Sequence, residues 1–247
     1  MTERWISPKD IVVDLLRVRI TDPRGVSRSG NEYAQDFTPD GSTTEFTITP
    51  PSGTVSCITS VTLDGTSKIK WTDYFWDARN QKIIFTTAPS GTILRVKFMH
   101  GSTDWIYSDK PDIRVKSVDF PRMDILIIPA GGRRMGNYEA PVQDIAHFQV
   151  DVYTKPKADD QIFTITTTAG SISTKVTRKM AGEELAEYLA YQVKKTMEEY
   201  ESDIHPILYD YAPFGPVKDM GYNEIYQCFH YVFEFMLSGI ELGRIDM

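Results

Sequence analysis

Residues 181–200 read AGEELAEYLAYQVKKTMEEY. Leu185, Leu189, Val193 and Met197 recur at every fourth position, and Ala186, Ala190 and Tyr200 widen the apolar stripe. Glu183, Glu187, Lys194 and Glu198 fall on the other side. One apolar face at helical period predicts an amphipathic helix over residues 180–200, laid on a flat apolar surface. The flanking segments supply that surface. Upstream, Ile125-Leu126-Ile127-Ile128 predicts a buried strand, and HFQVDVYTK at 147–155 a strand with Phe148, Val150 and Val152 on one face. Gln161 to Val176 predicts a hairpin turning at Ala169-Gly170, its exposed positions mostly Thr and Ser. Downstream, HPILYDYAPFGPVKDMGY at 205–222 reads as a strand and a proline-rich turn. The segment IYQCFHYVFEFML at 225–237 is apolar on both faces. Such a strand is central in its sheet or covered by another subunit, which makes Tyr226, Phe233 and Phe235 candidate interface residues. A mixed sheet with one packed amphipathic helix makes residues 101–247 an α+β domain.

The first part of the chain has a different rhythm. Ser7 suits a helix N-cap, Pro8 the first helical position and Asp10 the capping-box acid. Ile11, Val12, Leu15, Leu16 and Val18 then form one apolar face over residues 8–20, and Asp22-Pro23-Arg24-Gly25 stops the helix. Polar, glycine-bearing GVSRSGNEYAQD at 25–36 reads as a linker. From Phe37 to His100 short strands follow. Phe37 to Thr49 turns around Asp40-Gly41, Cys57 to Leu63 ends in the hairpin signal Asp64-Gly65, and Lys68 to Trp71 alternates. Asn80 to Thr87 and the run ILRVKF at 93–98 complete a compact all-β module, a sandwich or small barrel. GSTDWIYSDKPD at 101–112 reads as a second polar link. The expected scheme is therefore an N-terminal helix and linker over 1–36, the β-module over 37–100 and the α+β domain over 101–247.

The totals narrow the function. The chain has 247 residues, 41% hydrophobic and 25% charged, which is ordinary for a globular protein. Its formal net charge is −7, against a protein whose main work is coating nucleic acid, because that needs clustered cations. Cys57 and Cys228 lie far apart with no ligand at metal spacing, so no disulfide framework is expected. MTERWISPKD is not a signal-peptide pattern, and no stretch approaches the ~18 apolar residues of a membrane span. The expectation is a protein made in a cytoplasm, with no membrane partner and no cofactor.

Patterns for catalysis are missing. The glycine-rich loop PAGGRRMG at 129–136 lacks the Lys-Ser/Thr ending of a phosphate cradle, and no G-x-S-x-G elbow is present. His100, His147, His205 and His230 form no metal pair at short spacing. His147 and His230 could meet on neighbouring strands, with Asp151 or Glu234 joining them, or be ordinary strand residues. Asp104 with Trp105 and Tyr107 has the composition of a sugar-contacting patch, or of a linker packed by its aromatics. Trp71 and Trp76, within an aromatic-dense run, are either β-module core and rim or a protein-contact hot spot. Arg133 and Arg134 sit in the glycine-rich loop. They are a solvated tip, or they reach a neighbouring subunit or a DNA-bearing lumen, where the guanidinium fork pairs carboxylate or phosphate.

Two stretches carry a resemblance. FTPDGSTTEFTI at 37–48, VTLDG at 61–65 and KIIFTTAPSGTILRVKF at 82–98 resemble a β-module recurring in virion proteins of tailed phages. FPRMDILII at 120–128, HFQVDVYTK and AGEELAEYLAYQVKKTM at 181–197 are similar, in that order, to tail terminator and related neck proteins. The resemblance implies a non-enzymatic structural virion protein, assembled in the host cytoplasm. It implies a homo-hexameric ring at the head–tail neck or the head-proximal end of the tail tube. The implied partners are further copies of itself, the tail tube protein and the head–tail connector, with non-specific DNA passing through the lumen. It also implies that helix 8–20 packs with residues 113–247, the β-module being an insertion. A head–tail adaptor or stopper is the close alternative, and a carbohydrate- or host-binding tail accessory the more distant one. The chain departs from the tail terminators in its length, its β-module and its segment 205–247.

Overall fold

The computed structural model describes residues 4–5, 8–24, 30–102, 104–108, 120–128, 143–156, 163–169, 174–199, 210–213, 215–240 and 244–245. In chain order the elements are β1 (Arg4–Trp5), α1 (Pro8–Arg19), β2 (Asn31–Phe37), β3 (Glu45–Thr47), β4 (Thr54–Leu63), β5 (Thr66–Ser67), β6 (Tyr74–Asp77), β7 (Lys82–Phe85) and β8 (Leu94–Gly101). There follow β9 (Ile106–Tyr107), β10 (Arg122–Ile128), β11 (Gln143–Thr154), β12 (Phe163–Ala169), β13 (Thr174–Met180) and α2 (Gly182–Glu199). The last are β14 (Asp210–Pro213), β15 (Lys218–Asn223), β16 (Cys228–Ile240) and β17 (Arg244–Ile245). The fold is α+β and divides into two compact units, one holding β1 to β8 with α1 and β17, the other β9 to β16 with α2. No described helix is long and apolar enough to cross a membrane.

In the first unit, a four-stranded sheet in the order β2-β8-β4-β5 and a three-stranded sheet in the order β3-β7-β6 share one core. Alternation along β8 explains it. Leu94, Val96 and Phe98 are fully buried while Arg95 and Lys97 are exposed, as a half-buried strand requires. They meet Phe46 of β3, Trp76 of β6 and Phe85 of β7. Gly53 adopts φ 66°, and a Cβ there would overlap the Gly101 carbonyl, so the approach of these two backbones excludes a side chain.

Three expectations are corrected in this unit. The linker expected over 25–36 becomes, from Asn31, the strand β2, which pairs with β8 along its whole length. Tyr33 lies 5.8 Å from Phe98 and Phe37 lies 5.4 Å from Phe46, so alternate side chains find aromatic partners. The strand expected over Lys68–Trp71 is a turn. Trp71 sits at φ 68°, and Lys70 is drawn to the Asp14 carboxylate at 2.5 Å and the Ile58 carbonyl at 3.1 Å. Helix α1 forms where the spacing of Ile11, Val12, Leu15 and Leu16 puts it, with those side chains buried. It packs on β4 of this unit, whereas the resemblance placed it with residues 113–247. Arg17 fixes the contact, donating to the Ser56 carbonyl and pairing with Asp104, both at 3.0 Å. Ser7, the expected cap, lies outside the described residues.

The second unit is built on one sheet. β9 lies parallel to β10, β10 antiparallel to β11, and β11 antiparallel to β16 over twelve pairs from Gln143↔Ile240 to Thr154↔Phe229. The other edge of β16 is shared end to end by β15, against 228–232, and β14, against 235–238. β16 is thus central, the placement its two apolar faces predict. Residues 225–227, expected within that strand, instead lie in a turn over 224–227, with Asn223 accepting the backbone N–H groups of Ile225 and Tyr226. Helix α2 buries Leu185, Leu189, Val193 and Met197 against β11 and β16. Its first residue, Gly182, fits against the Phe229 ring, and Thr154 donates to its carbonyl at 2.6 Å. The face beneath α2 therefore carries Phe229, Tyr231, Phe233 and Phe235 of β16 with Phe148, Val150 and Val152 of β11. The polar link expected over 101–112 is partly core: Trp105 and Ile106 are buried, and β9 extends the sheet.

Candidate functional site

Two features stand out: a charged row on the sheet face away from α2, and the strand edges. Register builds the row. Arg122, Tyr153 and His230 lie side by side on β10, β11 and β16, and Asp124 and Asp151 face each other one step further on. Both carboxylates are fully buried. Each has found a cation or donor, as burial of charge demands. Arg122 Nε donates to Asp124 at 2.7 Å, and the guanidinium lies 3.8 Å from the Tyr107 ring centre. His230 Nε2 and Gln149 Nε2 both reach one oxygen of Asp151 at 2.8 Å. The Tyr153 ring stacks on His230 at 4.6 Å. Burial, and then the charges of Asp151 and Asp124, push the Tyr153 hydroxyl far above its ordinary value.

A His–Asp pair invites comparison with a nucleophile-activating dyad. The thiol on the same face of β16 is Cys228, and it is poorly suited to attack. Burial pushes it up to about 11, and the thiolate is the reactive form. Cys57 is likewise pushed up to about 12 by burial. Both thiols are therefore expected to resist iodoacetamide at pH 8 in the folded chain and to react in denaturant, read by intact mass. The corresponding stability is fully present below the ordinary thiol value and is lost as pH rises towards 11 and 12. Alkylation of either thiol in the native chain would show its site to be open.

The remaining expected site residues fall as follows. Trp76 belongs to the first unit's core, and Trp71, 7% exposed, packs on Phe75. Phe233 and Phe235 are fully buried, and only Tyr226 of the five candidate interface residues is half-exposed, packing on Phe120, Tyr153 and Cys228. As core residues of one chain, Trp71, Trp76, Phe233 and Phe235 offer no surface to a partner. Arg133 and Arg134 lie outside the described residues. His147 pairs with Met236 and His230 with Tyr153, six residues along β11, so neighbouring strands do not bring the two histidines together. Asp151 does join His230, while Glu234 takes Lys218 at 2.7 Å. Buried Trp105 presents no ring to a sugar, and Asp104 is held by Arg17. Among the described residues no group of three His, Cys, Asp or Glu side chains could hold a metal ion.

The edges are of two kinds. β5 and β9 have two residues each, β3 three and β6 four. β14 has four and ends in Pro213, and β15 is broken by a bulge between Asp219 and Tyr222. Short, bulged or proline-bearing edges resist strand addition. β2, β12 and β13 each run for seven residues in unbroken register with their single neighbours. β12 and β13 pair only with each other among the described residues, forming a two-stranded ribbon whose root, Phe163 opposite Met180, is buried. Sequence reasoning found the ribbon and missed β2, although the alternation of Tyr33, Gln35 and Phe37 was there to read. No family model, curated protein or solved structure matches this chain.

Proposed function

We propose that this chain is a non-enzymatic assembly subunit, a structural virion protein of a tailed phage that forms a ring at the head–tail neck or at the head-proximal end of the tail tube. The observation that carries the reading is the ribbon β12–β13. A two-stranded ribbon is marginal in water by itself, and seven residue pairs of this one are joined by no third strand among the described residues. In this reading a second copy covers its edges. The tail-terminator resemblance supplies the location, and a head–tail adaptor or stopper is the sibling role. The distant alternative, sugar binding through Trp71 and Trp76, loses its basis with the burial of both rings.

Negative-stain imaging of the purified chain, alone and mixed with tail tubes, tests the location. Rings, and tubes capped at one end, are expected. Rings that never engage tubes would move the chain to the connector side of the neck, and single particles in both samples would overturn the reading.

A further inference from the structure

We propose that strand β13 of one copy adds, in a second copy, to the edge of β2 that pairs with no strand among the described residues, joining the ribbon of one subunit to the four-stranded sheet of the next. This rests on the assembly reading above and names the contact that performs it.

Length, geometry and charge each support the pairing. β2 and β13 are both seven residues long. Neither contains proline, and neither shows a register shift against its own neighbour. Of the other described edges, β12 shares these properties but carries no charge, and the short, bulged or proline-bearing edges lack them; these properties are what an added strand needs. β2 reads NEYAQDF, with Glu32 and Asp36 and no cation, Asp36 being paired with Arg95 of β8 at 2.7 Å. β13 reads TKVTRKM, with Lys175, Arg178 and Lys179 and no acid, Arg178 being paired with Glu184 of α2 at 3.5 Å, in a chain whose net charge is −7. Residues 31–37 of β2 are half-exposed to exposed throughout, and Thr177, Arg178 and Lys179 of β13 are exposed.

Charge also selects against the self-pairings. β2 against β2 would align acids with acids, and β13 against β13 cations with cations, and like charges across an interface suppress the wrong register. The surviving contact joins two different patches, and repeated from copy to copy it runs head-to-tail, the kind that closes into rings when the rotation between copies closes.

The test uses the full chain. Single variants A34C and T177C, and their neighbours E32C and K179C, are mixed pairwise under mild oxidation. A disulfide between two chains, one from each parent, is expected in at least one β2–β13 combination and in no β2–β2 or β13–β13 mixture. In parallel, E32K and K179E are each expected to raise the concentration at which oligomers form by about tenfold, and the double variant E32K/K179E to restore it. Circular dichroism confirms that each variant is folded. Wild-type oligomers with no β2–β13 cross-link, or with single reversals that change nothing, overturn this contact and leave the ring standing. A reversal at Lys179 that spares oligomers but abolishes tube capping assigns the ribbon to the tube and also overturns the contact. A wild-type chain that stays monomeric with and without tubes removes the ring and the contact together.

Discussion

Replacing Phe148 with Ala is expected to lower the stability of the second unit by about 3–5 kcal/mol. Phe148 is fully buried at the centre of the sheet face under α2. Its ring lies flat on that of Phe235, 5.2 Å between centres and 6° between planes, and Phe235 in turn meets Phe233 at 5.8 Å. Truncation removes the transfer free energy of a whole ring. It also leaves a cavity walled by two strands of a continuous ladder and a helix, so little of it can collapse. Urea unfolding followed by circular dichroism should show the second unit's transition moved to lower denaturant. A loss under about 1 kcal/mol would mean that α2 does not cover this face.

Arg122→Ala is expected to cost a comparable amount, about 3–5 kcal/mol, by a different mechanism. Asp124 is fully buried, and the Arg122 guanidinium is its cation at 2.7 Å. Removing the cation leaves a carboxylate in a low-dielectric interior and strips the Tyr107 ring of the group resting on it. The double variant Arg122→Met with Asp124→Leu is expected to recover most of the loss, because paired apolar groups need no neutralisation. Thermal unfolding of the two single variants and the double one forms a cycle. Purely additive losses would show that the pair is not coupled.

Much of this fold was legible in the sequence, and the reasons are local. The helix over 182–199 was readable because its apolar stripe and its charged face both keep helical period across five turns. β8 was readable from strict alternation, and β16 from an apolar run too long for an exposed strand. β2 was hidden behind polar, glycine-bearing residues, since Glu32 and Asp36 face solvent and only the aromatic partners of Tyr33 and Phe37 are apolar. The Lys68–Trp71 turn was hidden because alternation says nothing of a lysine drawn across the fold to Asp14, fifty-six residues away. The charged row was half visible. Asp124 and Asp151 each interrupt an apolar strand, which marks them for a buried partner, but only the register of β10, β11 and β16 puts them opposite each other. The aromatic candidates failed for one shared reason: composition shows that Trp71, Trp76, Phe233 and Phe235 make large contacts, and it does not show whether the other side belongs to the same chain. Edges are the reverse case. Whether a strand is long, straight and joined by no further described strand is a property of topology, so β2 became a candidate only in the folded molecule, whereas the Thr-rich hairpin at 161–176 was already a candidate edge in the sequence.

The central claim is that this chain works by assembling with copies of itself. Light scattering of the purified protein across a concentration series measures that directly. The account predicts a mass that rises with concentration to a closed plateau, six copies if the tail-terminator resemblance holds, and a plateau that E32K alone pushes to higher concentration. A mass fixed at that of one chain across the series, unchanged when tail tubes are added, would contradict it.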